Sequence, residues 1–564
     1  MLSRMRSYGV ALVLAGGVLI AACNALVDTS ADQCETDSDC QKLGGALANS
    51  VCTPDKVCSH GGDCTTNQQC LDRFGGNPAI CRQPDGTCVK LLTDDCQEVY
   101  PTDVLADDDT IVLGFMGPLK DEFASNGVPQ WEGIQLAVNE FETFAKGLPV
   151  AGSTERRHVA VLACHDIDNP IGVAEHLVNT VRVPAIFGPA FSGITLDVAT
   201  QVTVPKGTLI MSSSATSPAI TDLDDNGLVW RTCPSDALQA VPLNFLVADE
   251  ENTIRSDLGL TSSDPIRLAM AVKGDAYGKG LADAVLANLK FNGKNAAANG
   301  NDFLRQDYPD PAEQPGYDFA PLVNEIVSQK PHIVLPLGTT EAITKVIQGV
   351  EANWPTSNPV PPKPHYIVPD GGRLDELLAI TGQGNDDLRS RVLGTIPGRT
   401  TALFSSFKIN FKAFHQNKDP GAYADTAYDS FYLMSYAIVA QGGKNLSGAA
   451  MNEGLKKMVG GTTITAGTND INAAFKALSA GPIDYEGVSG HLNFDVSTGE
   501  APSDIDIWCI VLDSKNQAVY TSSGQYYDSQ GGKVTGTRTA CGSTGGTGGT
   551  GGTNNAAGAG GAPN

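Results

Sequence analysis

The chain has 564 residues, of which 41% are hydrophobic, and a formal net charge of −25. This length exceeds what one compact core requires and predicts two to four domains. The negative net charge disfavours nucleic acid as a partner unless a local basic patch exists. The nearest candidate for such a patch is Arg156 beside Arg157, and this pair fits a solvated turn after Glu155. We therefore expect no nucleic-acid binding.

The first residues have the pattern of an exported protein. An apolar stretch at 9–22 follows two arginines and is shorter than the roughly 20 residues that cross a bilayer. It ends in LIAAC at Cys23, which resembles the lipobox of bacterial lipoproteins. The resemblance implies a signal peptide at 1–22, lipidation of Cys23 and a place in the envelope of a Gram-negative-type bacterium. Asn24 favours the outer membrane over the periplasmic side of the inner one, and an ordinary cleavage site with an incidental cysteine is the alternative.

A cysteine-rich module is predicted at 23–100, where eight cysteines form two copies of one spacing pattern. Outside the cytoplasm this density favours disulfides, and each copy can hold two of them in any of three pairings. Zinc is disfavoured because no gap is a C-x2-C pair and no histidine matches, so we expect no metal. The module is a stalk or spacer, or else a docking site for a partner. The copies are Cys34, Cys40, Cys52 and Cys58, then Cys64, Cys70, Cys81 and Cys88.

The other cysteines have open pairings. Lipidation of Cys23 leaves an odd number of cysteines, so the rest cannot all pair within the chain. A bridge between Cys96 and Cys541 would join the ends of the central region if these ends lie close together. Beyond that region we expect a C-terminal extension at 516–541 and a disordered glycine-rich tail at 542–564.

From Thr110 onward, short apolar strands alternate with amphipathic helical patterns. A first set has strands at 110–115, 158–163, 185–188 and 208–211, with helices at 131–145, 173–182 and near Thr195. A second set has strands at 267–272, 332–337 and 365–368, with helices at 277–289, 319–329 and 341–352. This alternation predicts an α/β fold with parallel sheets that helices cover on both faces. Ligands in such folds bind beyond the carboxyl ends of the strands.

The segment SSSATSP at 212–218 follows one of these strands and precedes a helix-like stretch. A helix N-terminus leaves its first N–H groups unpaired and carries partial positive charge, which serine and threonine hydroxyls can supplement. The arrangement suits a carboxylate. Taken alone, the segment fits a plain loop with helix caps equally well.

Five segments occur in an order typical of one family: GFMGPL at 114–119, FGPAFSG at 187–193, MSSSATSP at 211–218, RTCPSD at 231–236 and DAYGKGL at 275–281. They resemble the type 1 periplasmic binding proteins, specifically the leucine/isoleucine/valine-binding group of ABC-transporter solute receptors. The likeness covers roughly 107–512. It implies two α/β lobes joined by three crossovers, with a ligand held in the cleft. The binding domain would span 107–515, with lobe I at about 107–237 and 398–485 and lobe II at about 238–397 and 486–515.

The resemblance also implies ligand-binding residues in the first lobe. Ser192 matches the serine that receives the ligand carboxylate, and Gly193 follows it at the helix start. Ser214, Ala215 and Thr216 match the second loop of that lobe, where backbone and hydroxyl groups contact the carboxylate and the ammonium. Together these groups supply donors for an anion.

In the second lobe, Tyr277 matches a tyrosine that closes over the ligand, and Asp370 falls where the family places an acid against the α-ammonium. Each has a purely structural alternative. Tyr277 also fits a packing residue at a helix start, and Asp370 also fits a turn-forming Asp-Gly pair.

Some positions depart from the family pattern. Asn126 replaces a tyrosine, and Ser214 stands where branched-chain receptors tend to carry alanine, so a more polar side-chain pocket is expected. Cys164 lies near a position where the family has a cysteine, but the position of that cysteine's usual partner is occupied by Phe191 here. Either Cys233 is the partner of Cys164 instead, or both thiols are free.

Catalysis is not expected. The eight histidines form no HExxH pattern, no Gly-x-Ser-x-Gly motif occurs, and the glycines after Tyr277 lack the spacing of a phosphate loop. We expect no cofactor. The leading hypothesis is a lipid-anchored receptor that closes on an amino acid or small carboxylate and presents it to an ABC permease. The alternative is a ligand-sensing or surface interaction lipoprotein with the same fold and no transport role.

Overall fold

The computed structural model describes residues 34, 36–43, 50–52, 56, 58–60, 62, 64–399, 401–444 and 446–539. The predicted signal peptide, Cys23, Cys541 and the tail at 542–564 lie outside the described residues. Among the helices that are described, none has the length and apolar character needed to cross a membrane. Two compact units emerge: a small one that ends at Leu91 and includes Leu105–Asp108, and a large one with Leu92–Val104 and the described chain from Asp109.

The small unit contains the same arrangement twice. The helix Asp37–Lys42 precedes an antiparallel hairpin, Ser50–Cys52 with Cys58–His60, and the helix Asn67–Arg73 precedes a second hairpin, Ala79–Arg82 with Thr87–Lys90. In each copy the first cysteine pairs with the third and the second with the fourth, which decides the open pairings. The disulfides are Cys34–Cys52, Cys40–Cys58, Cys64–Cys81 and Cys70–Cys88.

A six-stranded sheet forms the first lobe of the large unit. Its strands are parallel except at one edge, where Cys96–Tyr100 runs antiparallel to Val159–His165. The strand order is Val229–Arg231, Leu209–Ser212, Ala185–Phe187, Ile111–Gly117, Val159–His165 and Cys96–Tyr100.

The edge strand corrects two cysteine predictions. Cys96 lies opposite Cys164 and forms a disulfide with it, so Cys96 is not the partner of Cys541. Cys233 is therefore not the partner of Cys164; it is a buried free thiol. Cys509 is also disulfide-bonded.

An eight-stranded sheet forms the second lobe. Its first five strands are parallel and the last three antiparallel. Ala518–Asp528 and Lys533–Gly536, from the segment assigned to a C-terminal extension, continue this sheet. The order is Phe303–Tyr308, Leu268–Lys273, Ile333–Leu337, His365–Val368, Val392–Pro397, Ile505–Leu512, Ala518–Asp528 and Lys533–Gly536.

Helices separate the strands of both lobes. The longer ones are Val128–Glu140, Asp236–Leu258, Ala276–Leu286, Ala320–Gln329, Ala402–Phe414 and Ala424–Ala440. Shorter ones are Pro170–Glu175, Ser192–Val198, Val204–Lys206, Pro218–Thr221, Gln348–Asn353, Asp375–Ile380, Asp386–Ser390, Gly448–Leu455 and Ile471–Leu478. Short π-helical segments form at Phe141–Ala145, His176–Val181, Ala199–Thr203 and Ala342–Ile347. Short 3-10 helices form at Asp103–Ala106, Asp121–Asn126, Ala296–Asp302 and Asp370–Gly372. Two-stranded ribbons pair Leu148–Pro149 with Arg156–Arg157, Lys290–Phe291 with Lys294–Asn295, and Thr462–Thr465 with Ile483–Glu486.

The predicted α/β class is confirmed. The helix predicted at 131–145 forms as the α-helix Val128–Glu140 and the π-helical segment Phe141–Ala145 that follows it. Ile134 and Phe141 are fully buried, as the 3.6-residue pattern requires. The sheets are mixed rather than wholly parallel, because each has antiparallel strands at one of its edges.

The chain passes between the two lobes three times. It leaves the first sheet after Val229–Arg231, returns after Val392–Pro397 to helices that pack on the first-lobe core, and crosses again before Ile505–Leu512. The first-lobe core therefore combines side chains from 111–230 with side chains from 407–501. The two lobes are therefore joined by three connections of the chain.

Candidate functional site

A cleft lies between the two lobes, beyond the carboxyl ends of strands in both sheets. The empty space in it is about 410 Å³, a figure that includes space open to solvent. The first-lobe side is formed mainly by Asn126, Gln130, Phe191, Ser192, Ser214 and Tyr423. The second-lobe side is formed by Tyr277, Thr339, Asp370, Gly371 and Leu374.

Two of the predicted first-lobe residues line this cleft. Ser192 begins the helix Ser192–Val198, is only 2% exposed, and its Oγ accepts a 3.2 Å hydrogen bond from the backbone N–H of Ser217. Ser214 follows the strand Leu209–Ser212, and its Oγ lies 2.8 Å from the Ala190 carbonyl oxygen and 3.2 Å from Gln130 Oε1, both acceptors. Their hydroxyls therefore come from the ends of neighbouring strands, as the fold class predicts.

The other three first-lobe residues lie next to the cleft without lining it. A Cβ on Gly193 would meet nothing within 4 Å, so no close packing explains the glycine. Ala215 and Thr216 are both buried. The Thr216 hydroxyl lies near the Asp236 carboxylate without a well-formed hydrogen bond to any described residue. A ligand group or a water would satisfy such an atom.

Arg231 holds the 212–217 loop from behind. Its buried guanidinium donates hydrogen bonds to the carbonyl oxygens of Ala215, at 3.0 Å, and Ser217, at 2.9 Å. It also donates to Thr221 Oγ1 at 2.9 Å and pairs with the Glu500 carboxylate. The loop is thereby fixed before any ligand arrives, which lowers the entropic cost of binding.

Asp370 is the acid of the cleft. It is 2% exposed, and its Oδ1 accepts hydrogen bonds from the Tyr277 hydroxyl, at 2.8 Å, and from Gln239 Nε2. Its Oδ2 accepts one from the Tyr423 hydroxyl. Burial raises the pKa of Asp370, and these three donors partly offset the effect by stabilising the carboxylate. The Gln239 amide also donates to Asp236 at 3.3 Å, and burial together with the charge of Asp370 raises the pKa of Asp236.

Tyr277 stands at the start of the helix Ala276–Leu286 and points its hydroxyl at Asp370. The backbone N–H of Gly371 donates to the same hydroxyl at 3.2 Å. A Cβ on Gly371 would lie 2.7 Å from this oxygen and 2.9 Å from the Gly338 carbonyl oxygen, so only glycine fits here. Burial raises the pKa of the Tyr277 phenol, which therefore remains a donor at neutral pH.

Hydrogen bonds across the cleft hold the lobes close together. Asn126 Nδ2 donates to Thr340 Oγ1 at 3.1 Å, and Ser217 Oγ donates to the Ala276 carbonyl oxygen at 2.9 Å. The bond from Tyr423 to Asp370 described above is a third. The structure therefore shows a closed arrangement of the two lobes.

A buried cation lies behind the cleft wall. Lys273 Nζ is 3.2 Å from carboxylate oxygens of both Asp275 and Asp310, and 4.9 Å from the centre of the Phe191 ring. Burial disfavours its charge, but the surrounding carboxylates outweigh this and raise the pKa of Lys273. Because its charge is neutralised there, Lys273 does not act as the counter-charge of the cleft.

Known proteins resemble this chain in sequence and in structure. No family model matches it. A Leu/Ile/Val-binding protein, BraC3, from Rhizobium johnstonii is 28% identical over 229 residues, which are 40% of this chain and 53% of the relative. The chain spans about half the length of the curated relatives it matches.

Solved structures match over a larger share. The substrate-binding protein LivJ of a branched-chain amino acid transporter from Streptococcus pneumoniae, in complex with isoleucine, has a TM-score of 0.52 at 19% identity, over 73% of this chain and 99% of LivJ. An ABC-transporter solute-binding protein from Rhodopseudomonas palustris, in complex with 3,4-dihydroxybenzoic acid, has a TM-score of 0.52 at 17% identity, over 75% of this chain and 98% of the other. The chain has the type 1 periplasmic-binding-protein fold. The resemblance drawn from the five sequence segments is confirmed.

Within this type 1 fold, the structure brings Ser192, Ser214, Tyr277 and Asp370 to one cleft from four separate segments. Sequence reasoning missed several residues of the same cleft: Gln130, Phe191, Thr339, Leu374 and Tyr423 as lining residues, and Gln239 as a donor to Asp370. For Phe191 the sequence indicates only that a cysteine of the family pattern is absent. Tyr423 directly precedes a helix that the family resemblance included, and its polar aromatic character was the available signal.

Proposed function

We propose that this chain is a lipid-anchored solute receptor outside the cytoplasm, which captures an amino acid, branched-chain or related, or a small carboxylate for ABC-type transport. The observation that carries the proposal is the meeting of two neutral hydroxyl groups, those of Ser192 and Ser214, with one buried acid, Asp370, in a single cleft. Isoleucine and 3,4-dihydroxybenzoic acid, the ligands of two proteins with this fold, both carry a carboxyl group.

The first lobe suits the carboxylate end of such a ligand. No lysine, arginine or histidine is among the residues that line the described cleft, so an anion there depends on hydroxyl and backbone N–H donors. Ser192 starts a helix whose first N–H groups have no intrahelical partners. The adjacent Thr216 hydroxyl has unused hydrogen-bonding capacity.

The second lobe suits an ammonium group. Asp370 is the ionisable carboxylate among the lining residues, and it is oriented by two tyrosine hydroxyls and an amide. A buried carboxylate is stable when its charge is paired, and the α-ammonium of an amino acid would pair it. A zwitterion therefore satisfies both walls at once, which a simple carboxylate does not.

Closure of the lobes is the proposed mechanism of capture. A ligand that contacts both walls binds the closed state better than the open one and so shifts the population towards closure. The direct bonds between the lobes, such as Asn126 with Thr340, add contacts that exist only when the cleft is closed. A permease that recognises the closed shape would then receive the loaded receptor.

The test is thermal unfolding of the full chain during titration with amino acids and small carboxylates. A ligand at 100 times its Kd should stabilise the fold by about 2.7 kcal/mol. In Ser192→Ala and Thr216→Ala variants we expect affinity to fall about tenfold each, because one hydrogen bond to a charged group is lost.

Ser479→Ala is the matched control, since its exposed hydroxyl bonds only locally, to the Lys476 carbonyl oxygen, and lies in the first lobe away from the cleft. Its ligand-induced shift should equal that of the wild type. Saturable shifts that survive both cleft substitutions unchanged would remove the carboxylate site from this wall.

Lipid attachment is tested separately. In a bacterial host fed an alkyne-labelled fatty acid, the wild-type chain should incorporate the label and a Cys23→Ser variant should lose it, because the acylated thiol is absent. Retention of the label by the Cys23→Ser variant would contradict the lipobox interpretation.

A second candidate is a sensing or docking lipoprotein that binds the same ligands without transport. The observation that favours it is the separate small unit, whose duplicated helix and hairpin are each held by two disulfides and could contact a partner. Neighbouring genes distinguish the two roles. A permease and an ATPase gene favour transport, and a signalling kinase gene favours sensing.

A further inference from the structure

Tyr423 has a backbone conformation that a bulky residue seldom adopts. Its φ is 61° and its ψ is 10°, in the left-handed region, at the residue that precedes the helix Ala424–Ala440. A side chain with a Cβ is disfavoured there, most of all a large one. Such a conformation persists only where surrounding contacts impose it, and it occurs preferentially at functional sites.

The contacts that impose it come from the first lobe. The helix Val128–Glu140 packs so closely on this turn that a Cβ on Gly133 would lie 2.1 Å from the Ala424 carbonyl oxygen. The Tyr423 carbonyl oxygen accepts hydrogen bonds from Thr426 Oγ1, at 3.0 Å, and from the Ala427 N–H, at 3.1 Å. The backbone of Tyr423 is therefore fixed to the first lobe.

The Tyr423 side chain, in contrast, reaches across to the second lobe. The residue is 6% exposed and is part of an apolar cluster that includes Tyr366, Val368 and Leu374 of that lobe. Its hydroxyl donates to Asp370 Oδ2. This residue therefore carries a donor from the first lobe to the acid of the second.

The donors around Asp370 divide between its two oxygens. Tyr277 and Gln239 donate to Oδ1, whereas Tyr423 is the donor described for Oδ2. Burial of a carboxylate favours its neutral form, and each O–H donor counteracts this by stabilising the anion. Because the Tyr423 backbone is fixed to the first lobe and Asp370 lies in the second, this hydrogen bond joins the two lobes in the closed arrangement.

Resting on the proposed function, we propose that Tyr423 is the positioning residue through which the site selects α-amino acids over the same acids without the amine. An oriented, charged Asp370 attracts the ammonium of an amino acid and repels a ligand that brings only a carboxylate. Without the Tyr423 hydroxyl, the attraction and the repulsion both weaken. The discrimination falls for that reason, even where the cleft keeps its shape.

The test compares the wild-type chain with Tyr423→Phe, which keeps the ring and removes the hydroxyl. Titration calorimetry of the full chain uses matched ligand pairs: L-leucine with 4-methylpentanoate, L-phenylalanine with 3-phenylpropanoate, and L-alanine with propanoate. For the pair that the wild type binds, we expect the affinity for the amino acid to fall about tenfold, as for loss of one hydrogen bond to a charged group. The affinity for the deaminated acid should stay or rise, so the ratio of the two affinities should fall at least tenfold.

Tyr428→Phe is the matched control. Tyr428 lies five residues further along the chain and is also buried, and its hydroxyl donates to Glu140 within the first-lobe core rather than to Asp370. Its removal should lower the unfolding temperature and leave the ligand ratio unchanged.

The outcomes separate this inference from the function beneath it. If the Tyr423→Phe variant loses affinity equally for both members of a pair, or keeps the wild-type ratio, Tyr423 serves packing alone and the inference is wrong while the receptor function stands. If the wild-type chain binds neither member of any pair, nor any other amino acid, the proposed function fails and the inference with it.

Discussion

Replacing Asp370 by asparagine should weaken the binding of an α-amino acid about 100-fold, because a buried charge partner of the ammonium is lost. The fold should survive, since the amide oxygen can still accept the hydrogen bond that Tyr277 donates at 2.8 Å. Titration calorimetry of the wild-type and Asp370→Asn chains with the same amino acid measures the change.

Asp506→Asn is the control for this substitution. Asp506 is also buried in the second lobe, burial raises its pKa to about 6, and it bonds to Ser522 rather than to the cleft. The control should bind ligand as the wild type does. Equal affinity of the Asp370→Asn and wild-type chains would show that this acid does not meet the ligand amine.

The pH dependence of binding should follow from the same acid. Because the pKa of Asp370 is raised, protons compete with the ligand ammonium at a higher pH than for an ordinary aspartate. Wild-type affinity should therefore decrease as the pH falls through that raised pKa, and the asparagine variant should lack this step.

Removing the disulfide between Cys96 and Cys164 should cost the large unit about 4 kcal/mol of unfolding free energy. The bridge closes a loop of 68 residues, and long loops gain most from such a constraint in the chain-entropy account. It also fastens an antiparallel edge strand to the first sheet. A double variant, Cys96→Ala with Cys164→Ala, tests this by urea unfolding followed through tryptophan fluorescence.

The readout reports on one unit because all four tryptophans, Trp131, Trp230, Trp354 and Trp508, lie in the large one. Cys233→Ala is the control, since this thiol is buried and unbridged and its removal should cost about 1 kcal/mol. A double variant that unfolds at the same urea concentration as the control would contradict the stabilising role of the bridge.

Much of the fold could be predicted from local patterns. Buried parallel strands read as short apolar runs, and amphipathic helices separate them, so the alternation from Thr110 to Val368 was visible in the sequence. The edge strands were not visible in this way. Cys96–Tyr100 pairs with a strand more than sixty residues away, and local sequence carries no information about such a pairing. In Ala518–Asp528 most side chains are only partly buried, so this strand lacks a strong apolar pattern of its own.

The candidate site divides along similar lines. Ser192, Ser214, Tyr277 and Asp370 could be assigned because each belongs to a short segment that the family resemblance covers. Tyr423 could not, since its place in the cleft depends on a left-handed turn that a helix of the first lobe imposes. The disulfide pairings were equally beyond spacing alone, because they follow from how each helix lies on its hairpin.

Native mass spectrometry of the full chain, mixed with equal amounts of the common amino acids and of their deaminated counterparts, tests the central claim most directly. We expect one α-amino acid bound per chain in clear preference to its deaminated counterpart, because only the amino acid carries both the carboxylate for the wall around Ser192 and the ammonium for Asp370. A chain that stays free of adducts, or that binds the deaminated acids to the same extent, would contradict the account.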